Sequence, residues 1–414
     1  MGAIQGPGSS QWSCCHEHGQ CQGFVSRKFF EQAIDVLEAK TEEFIGEGEH
    51  RFKRLDIINH LRNAIHPSSV LNSSISHHPH QPTGYVADKL AEIFGSTKAL
   101  NQVYSANGHH LFLLLKGILE REDVGPKSAK SSDEDANDAF DITNRTKTFY
   151  LQVHGKDLNG LLGGSSGPVA LVSEVNYADL NGRPMDNAFW TQPYKKIVYG
   201  KGEILVSLVK LPGVGVHEIS HMVTQQTAGT ELNEDKHPTG LNYTEDAGGL
   251  NEANSDQASL AEDQRTNNQT DPKKANWEIG KGAFKGYPDL CLRNAADPGT
   301  ADTPYGPDIQ KGYANYEDWR NEANKVDPHQ SSAVGLKWYH DAAIGIYKLN
   351  GKPTWETVEK IRMAALPWCP PDTTYPDYAG NTVQRVKALF SDDHEPVTDA
   401  VVKAWDGVGV QISV

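Results

Sequence analysis

The residues of this chain that could do chemistry centre on His217, Glu218 and His221, which form an HExxH array. On a helix, the four-residue step places both imidazoles on one face, about one turn apart, where one Zn²⁺ ion can bind a nitrogen of each. Glu218 is then a candidate general base for a water molecule at the metal. Because the chain contains 17 histidines, chance also produces such arrays. The array alone therefore predicts half of a zinc site.

A catalytic zinc site needs a third protein ligand, and the segment 248–256 carries carboxylates that could supply it. If this segment is helical, Glu252 and Asp256 share a face at positions i and i+4. One carboxylate could then bind the metal while the other orients a histidine ligand. Taken alone, the segment is also typical of an acidic, solvated helix start.

Further short blocks surround the HExxH array in a fixed order. They are Asp186–Trp190, Val198–Gly200, Thr227–Gly229, Gly240–Tyr243, Asn251–Asp256, Asn276–Gly280, Leu292–Asn294, His329–Ser332 and Trp405–Val410. With these blocks, residues 100–414 resemble the thermolysin family of zinc metallopeptidases. The resemblance implies an α+β fold with a β-rich N-terminal lobe, a mainly helical C-terminal lobe and the zinc helix between them.

The resemblance assigns the metal site residue by residue. It implies that one catalytic Zn²⁺ is bound by His217, His221 and Glu252. It also implies that Glu218 is the general base, which takes a proton from water and later delivers it to the leaving nitrogen. Asp256 would accept a hydrogen bond from a ligand imidazole and so fix its orientation.

Other matching positions are implied to contact the substrate. Tyr243 and His329 would donate hydrogen bonds to the oxyanion of the tetrahedral intermediate. Asn187 and the Ala188 carbonyl would hold the substrate backbone, and Arg293 would reach the substrate carbonyl beside the cleaved bond. Without the resemblance, the tyrosine would be interpreted as a core aromatic, the histidine as a surface residue and the arginine as a surface salt-bridge partner.

Aliphatic residues stand where the family lines the pocket for the residue after the cut. They are Leu205, Val214, Ile279 and Leu292, and Ala283 stands where a larger side chain is usual. The chain is therefore predicted to be a zinc-dependent endopeptidase that cuts before large apolar residues. Ordinary core packing is the alternative explanation for these aliphatic residues.

Residues 1–95 are predicted to be a prosegment and linker. Phe29–Lys40 and Ile57–Ala64 have helical apolar spacing, and residues 66–83 have the composition of an exposed linker. A short leader with Cys-His near its start is similar to the protealysin-like branch, although Val25–Arg27 departs from the Val-Pro-Pro of that branch. We therefore expect a self-inhibited precursor whose partners are polypeptide substrates and its own prosegment. The alternative is a catalytically silent zinc protein, covered by its prosegment, that acts as a binding module.

Relatives usually bind a pair of calcium ions beside the active site, and this chain departs from their ligand set. Gly213 and Asn276 stand where aspartates are expected, and Lys281 replaces a glutamate, while Asp263 and Glu278 remain. Two adjacent Ca²⁺ ions need many anionic oxygens. We therefore expect the double calcium site to be degraded, with Lys281 balancing Asp263.

Two further departures lie near the site. The stretch Thr230–Thr239 looks like an insertion, and its Asn, Asp and Pro content predicts a surface loop. The aspartate that commonly orients the histidine of the oxyanion site is replaced by Asn324, although Asp327 is close to His329 in sequence.

Composition excludes several classes of partner. The formal net charge of -15 argues against nucleic acid and anionic membranes, which bind clustered basic surfaces. No segment reaches the roughly 18 apolar residues of a membrane span, and Leu111–Leu115 is predicted to be a short buried element. Residues 1–30 lack the apolar stretch of a signal peptide. We expect synthesis in the cytoplasm, with any export by an unconventional route.

The five cysteines, Cys14, Cys15, Cys21, Cys291 and Cys369, are few and odd in number. They are poor material for a disulfide framework, which agrees with folding in a reducing compartment. Three of them cluster with histidines near the N-terminus, where either a metal site or a mobile tail would fit.

The predicted domains are residues 1–95, a β-rich subdomain over 96–212, and the zinc helix with a helical subdomain over 213–414. The strands are predicted over Thr148–Val153, Val169–Val175 and Ile204–Leu208, after a polar surface loop over 126–139. The helices are predicted from residue 214 onward and include Val334–Leu349 and Val383–Leu389.

Overall fold

A computed structural model describes residues 98–110, 116–125, 127–179, 181–301, 304, 312–322, 327–391 and 394–412. The predictions made for residues 1–97, including the prosegment helices, the linker and the N-terminal cysteines, lie outside these residues. The predicted buried element Leu111–Leu115 and the position Asn324 lie outside them as well.

A mixed five-stranded sheet forms the first part of the described chain. Its strands are β1 (Asn101–Ser105), β2 (Ile118–Glu122), β3 (Leu171–Tyr177), β4 (Ala188–Thr191) and β5 (Lys196–Gly200). They are ordered β2-β1-β3-β5-β4, with β3 parallel to β1 and β5 and with the two outer pairs antiparallel. The strand predicted over Val169–Val175 is confirmed as β3, which begins two residues later. The outer position of β4 brings the predicted substrate-binding segment to one end of the sheet.

A long helix, α1 (Glu134–His154), includes the segment Thr148–Val153, where a strand was predicted. Asp133 caps its first turn, and Gly155 ends it in the left-handed conformation at φ 65°. The strand prediction is wrong because the β-favouring residues belong to a longer helical stripe. That buried stripe includes Ala136, Ala139, Phe140, Thr143, Thr146, Phe149 and Tyr150.

Two other predicted segments differ from the structure. The predicted polar loop over 126–139 becomes helical in its second half, within α1, where two alanines are buried. The strand predicted over Ile204–Leu208 is also wrong. Leu205 forms an isolated bridge with Phe284, while N–H groups of this segment bind the carboxylate of Asp186. A side chain thus takes the donors that a sheet ladder would need.

Helices dominate the second part of the described chain, apart from a two-stranded sheet of β6 (Glu278–Ile279) and β7 (Arg293–Asn294). A short helix, α2 (Leu158–Gly163), precedes them in the first part. The helices that follow are α3 (Pro212–Thr227), α4 (Glu245–Thr266), α5 (Tyr316–Glu322), α6 (Pro328–Ser331), α7 (Ala333–Asn350), α8 (Val358–Ala365), α9 (Tyr375–Leu389) and α10 (His394–Gly407). The helices predicted over Val334–Leu349 and Val383–Leu389 are confirmed within α7 and α9. The predicted α+β class is confirmed as well.

Helices α3 and α4 pack against each other in the interior. Both are buried on nearly all sides, although both carry many polar residues. Gly215 lets α3 approach α1 closely, since a Cβ atom there would lie 2.6 Å from Ile142 Cγ2. Polar side chains in such a location need partners, so these two helices are where a site is expected. Within the described residues, no helix combines the length and apolar character needed to span a bilayer.

Candidate active site

Helix α3 presents His217 and His221 on one face, as their spacing predicts. Their Nε2 atoms are 3.0 Å apart, and both side chains are buried. Together with Glu218, they offer potential ligand atoms that all lie within 4.8 Å of one another. Pro212 occupies the first turn of α3, where its missing N–H costs nothing.

Glu252 reaches the same point from α4. Its Oε2 lies 3.1 Å from His217 Nε2, and its Oε1 lies 3.5 Å from His221 Nε2. Tetrahedral zinc with nitrogen and oxygen ligands at about 2.0–2.1 Å requires ligand atoms about 3.3 Å apart. Two imidazoles and one carboxylate at these separations therefore fit one zinc ion. Glu252, whose two carboxylate oxygens each face one of these nitrogens, fits as the third ligand, while the Glu218 carboxylate accepts a hydrogen bond from strand β4.

The other ring nitrogens of the two histidines are held by side chains of α4. His217 Nδ1 lies 2.7 Å from Asp256 Oδ1, and His221 Nδ1 lies 2.8 Å from Asn251 Oδ1. Both contacts favour a proton on Nδ1, which leaves each Nε2 lone pair for the metal. The contact of Asp256 was anticipated, but that of Asn251 was not. Its place in the sequence, directly before Glu252, could have indicated it.

Glu218 lies between the metal cluster and strand β4. Its Oε2 accepts a hydrogen bond of 3.0 Å from the backbone N–H of Trp190. Burial is the main factor that raises the pKa of Glu218 to about 7, and the Glu252 carboxylate acts in the same direction. A carboxylate with a pKa near neutrality suits proton transfer in both directions. The Trp190 contact was not predicted, because a backbone donor has no sequence signature.

The charges around the cluster favour a cation. Although burial opposes it, Asp256 and Glu252 raise the pKa of His217 to about 10. Burial likewise opposes the ionisation of Asp256, but Arg293 and His217 lower its pKa to about 2. The pKa of Glu252 is also depressed, against its burial, by the surrounding histidines. The carboxylates are therefore anionic and attract a positive charge at the imidazole nitrogens, which a zinc ion supplies.

Tyr243 and His329 both contact Glu252. The Tyr243 hydroxyl donates to Glu252 Oε1, and His329 Nε2 lies 3.3 Å from Glu252 Oε2. His329 stands on the short helix α6, whose cap is Asp327. The Asp327 carboxylate accepts the His329 backbone N–H at 2.8 Å and lies 2.5 Å from its Nδ1. Asp327, two residues before His329, thus holds the imidazole of that histidine in place.

Two of the predicted substrate-binding residues lie on strands, Ala188 on β4 and Arg293 on β7. Ala188 begins β4, and the side chain of Asn187 accepts the Ala188 N–H at 2.9 Å. Arg293, in β7, donates to Asp256 at 2.5 and 2.7 Å, so it is a salt-bridge partner, but a mainly buried one rather than one at the surface. Its substrate contact stays a prediction.

The predicted pocket residues all belong to the main hydrophobic core or pack against it. Val214, on α3, is buried in the main hydrophobic core, and Leu292 is partly buried and packs against that core. The Leu292 N–H donates to the Ile279 carbonyl at 2.8 Å. Leu205, Ile279 and Ala283 are buried and belong to the main hydrophobic core.

The two carboxylates that remain of the expected calcium ligands already contact donor groups. Asp263 accepts the Asn276 amide at 3.2 Å, and Arg145, which binds the neighbouring Glu262 through Nε and Nη2, lies 4.0 Å from Asp263 Oδ1. Lys281 pairs with Glu278 at 2.8 Å, so the prediction that it balances Asp263 is wrong. The lysine lies three residues after that glutamate on the same turn. Because Ca²⁺ takes about six to eight oxygen ligands, these residues do not fit a double calcium site.

Two predicted features away from the cluster can also be located. The stretch Thr230–Thr239 is mainly exposed and contains no helix or strand, as its Asn, Asp and Pro content predicts. Asn233 closes this loop with side-chain hydrogen bonds to Gly229 and His237. Cys291 and Cys369 are free and buried.

Comparisons with known proteins match two successive parts of the chain. The thermolysin metallopeptidase catalytic domain matches residues 97–225, and the thermolysin metallopeptidase alpha-helical domain matches residues 239–410. Protease PrtS of Photorhabdus sp. (strain Az29) is 26% identical over 305 residues, which cover 72% of this chain and 74% of that protein. An extracellular metalloprotease of Pectobacterium carotovorum subsp. carotovorum is 27% identical over 304 residues, covering 72% and 78%.

A solved structure has a similar fold. The precursor of protealysin, a metalloproteinase from Serratia proteamaculans, superposes with a TM-score of 0.61 at 24% identity. The superposition covers 80% of this chain and 96% of that chain.

Proposed function

Because this chain belongs to the thermolysin family of zinc metallopeptidases and is a zinc metalloendopeptidase, we propose that it cuts peptide bonds before large apolar residues and is made as a self-inhibited precursor. The observation that carries the catalytic assignment is the approach of Glu252 to the two Nε2 atoms of His217 and His221, at 3.1 and 3.5 Å. Glu218 stands directly beside this cluster, hydrogen-bonded to strand β4.

We assign the steps of peptide hydrolysis to the residues around that cluster. His217, His221 and Glu252 would hold zinc, which, when bound, polarises the substrate carbonyl and acidifies water. Glu218 takes the proton from water and passes it to the leaving nitrogen, for which a pKa of about 7 is suited. Tyr243 and His329, both in contact with Glu252, would redirect their donor groups from that carboxylate to the developing oxyanion. The best-placed proton shuttle is thus the glutamate between the cluster and β4.

The proposed preference for large apolar residues rests on the side chains near the zinc ligands. Val214 lies one helical turn before His217 and Glu218, and Leu292 precedes Arg293. Val214 belongs to the hydrophobic core that contains Leu205, Ile279 and Ala283, and Leu292 packs against that core. The small Ala283 leaves room in such a pocket. The substrate backbone would lie along β4, where Asn187 and Ala188 offer polar groups at the outer strand of the sheet.

The proposed precursor state is supported by the similarity to a structure described as a precursor. The predicted prosegment, residues 1–95, would cover the cleft until it is cleaved. The competing function is a silent binding module. It has less support, because Glu218, Tyr243 and His329 all stand at the cluster in contacts that suit catalysis.

We also propose that the enzyme works without the usual pair of calcium ions. Arg145, which pairs with the buried carboxylate of Glu262, also brings a positive charge within 4.0 Å of Asp263 Oδ1. Asn276 and Lys281 donate to Asp263 and Glu278. These donors make a bound calcium ion unnecessary there.

The test is autocleavage and casein cleavage by the purified full chain with stoichiometric zinc. The wild type is expected to cleave, and Glu218→Gln is expected to bind zinc but lose at least about 10³-fold in rate. Glu231→Gln, which changes an exposed glutamate of the Thr230–Thr239 loop, is the matched control and should keep full activity. Zinc-loaded wild type without activity on any unfolded protein would support the silent binding module instead.

A further inference from the structure

One carboxylate accepts hydrogen bonds from several backbone N–H groups of the 201–206 loop, which follows β5. Asp186 accepts the N–H groups of three consecutive residues, Glu203 at 2.6 Å, Ile204 at 3.0 Å and Leu205 at 2.9 Å. Successive N–H groups that converge in this way bind an anion strongly. Asp186 directly precedes Asn187, so the chain that would hold the substrate is tied to this loop.

A cation binds the other polar groups of the same loop. Lys285 Nζ donates to the carbonyls of Gly202 at 3.1 Å and Glu203 at 3.0 Å. The backbone before Lys285 also pairs with the loop, through the bridge between Leu205 and Phe284. The loop is thus held by an anion at its N–H groups and by a cation at its carbonyls.

The geometry of the loop leaves little freedom. Gly202 has a φ of 75°, and a Cβ atom there would lie 2.3 Å from the Leu205 carbonyl oxygen. The Val206 N–H donates to the Ala283 carbonyl at 2.9 Å. The side chain of Leu205, one of the proposed pocket residues, is buried in the main hydrophobic core. The position of Leu205 therefore depends on contacts that fix the loop backbone.

We propose that Asp186 and Lys285 are positioning residues for substrate selectivity. Together they fix the distance between the segment that holds the substrate backbone and the loop that carries Leu205. The inference rests on the proposed preference for a large apolar residue after the cut. Without the two charged groups, the loop backbone relaxes, and the pocket loses its discrimination between large and small side chains.

The experiment compares kcat/KM for two peptides that differ only in having leucine or alanine after the cleaved bond. Wild type is expected to prefer leucine. Asp186→Asn and Lys285→Met are each expected to reduce that preference about tenfold, roughly the effect of one hydrogen bond to a charged group. Lys285→Arg, which keeps a cationic donor, should retain most of it. Since each ratio is measured on one protein sample, partial unfolding cancels.

Asp157 offers a matched control. It accepts two successive backbone N–H groups at the start of α2, at 3.2 and 3.3 Å, but α2 carries none of the proposed site residues. Asp157→Asn should keep the wild-type ratio. A wild type that prefers leucine, with an unchanged ratio in Asp186→Asn and Lys285→Met, overturns the inference. A wild type that cuts both peptides equally contradicts the proposed preference itself, and the inference falls with it.

Discussion

Arg293 and Asp256 form a two-point ion pair, with Nε 2.5 Å from Oδ2 and Nη2 2.7 Å from Oδ1. Asp256 Oδ1 also lies 2.7 Å from His217 Nδ1. The arginine therefore acts on the metal site through the aspartate, and two of its donors are committed there. Any contact with the substrate carbonyl has to use the remaining N–H group of Nη2 or those of Nη1.

The first prediction concerns zinc affinity. Asp256→Asn removes the charge that orients His217 and leaves Arg293 buried without its counterion. We expect zinc to bind about 10–100-fold more weakly, measured by competition with a chromogenic chelator. Asp179→Asn, which changes a half-buried aspartate paired with Arg183 away from the metal site, should leave the affinity unchanged. Equal affinities in the two variants would show that Asp256 does not tune the metal site.

The metal cluster could be predicted from the sequence because helices impose regular spacing. Two histidines four residues apart, and Glu252 four residues before Asp256, fix which side chains share a face on α3 and α4. The N–H of Trp190 could not be predicted, since every residue offers such a donor and only the strand order brings this one to Glu218. The pairing of the two helices is likewise a tertiary contact.

Two segments whose secondary structure was predicted wrongly show a second limit of prediction from sequence. Thr148–Val153 has the β-branched and aromatic composition of a strand, yet it forms the last turns of α1. Composition is a weak guide when a cap at Asp133 and a buried helical stripe act over a longer range. At Ile204–Leu208 the competing influence is a single side chain, Asp186, which is distant in sequence. Local patterns cannot reveal such a partner.

The second prediction concerns the contact between α3 and α1. Gly215→Ala would place a Cβ atom 2.6 Å from Ile142 Cγ2 and 2.8 Å from Tyr199 Oη. Overpacking of this kind costs about 1–3 kcal/mol, so the midpoint of urea unfolding should fall. Gly407→Ala at the end of α10 meets no atom within 4 Å and should be neutral or slightly stabilising. A stable Gly215→Ala variant would mean that the helix shifts at little cost.

The third prediction concerns Arg145. Its guanidinium binds Glu262, which is nearly fully buried. Arg145→Met leaves that carboxylate without a cation and should reduce the free energy of unfolding by about 2 kcal/mol. Calcium should not stabilise the wild type in thermal unfolding, because the carboxylates are already paired. Stabilisation of wild type by micromolar calcium would contradict the proposed independence from calcium.

The fourth prediction is a loss of stability on acidification, caused by the buried group His154, Glu359 and Arg362. His154 Nε2 lies 3.0 Å from Glu359 Oε1, and Glu359 is also bound twice by Arg362. Although burial opposes it, Arg362 and His154 lower the pKa of Glu359 to about 2. Burial is the main cause of the lowered pKa of His154, against the attraction of Glu359.

Both shifts have the same consequence, because the unfolded chain takes up protons at a higher pH than the folded protein does. The contribution of His154 is complete above its unfolded pKa of about 6.5 and declines as the pH falls below that value. That of Glu359 is complete above about 4.3 and is lost as the pH falls toward its folded pKa of about 2. Between pH 7 and 5, the free energy of unfolding in urea should therefore depend more steeply on pH in the wild type than in His154→Asn. The wild type should lose up to about 1.4 kcal/mol more per pH unit. Parallel stability curves for the two proteins over this interval would show that His154 does not titrate with folding.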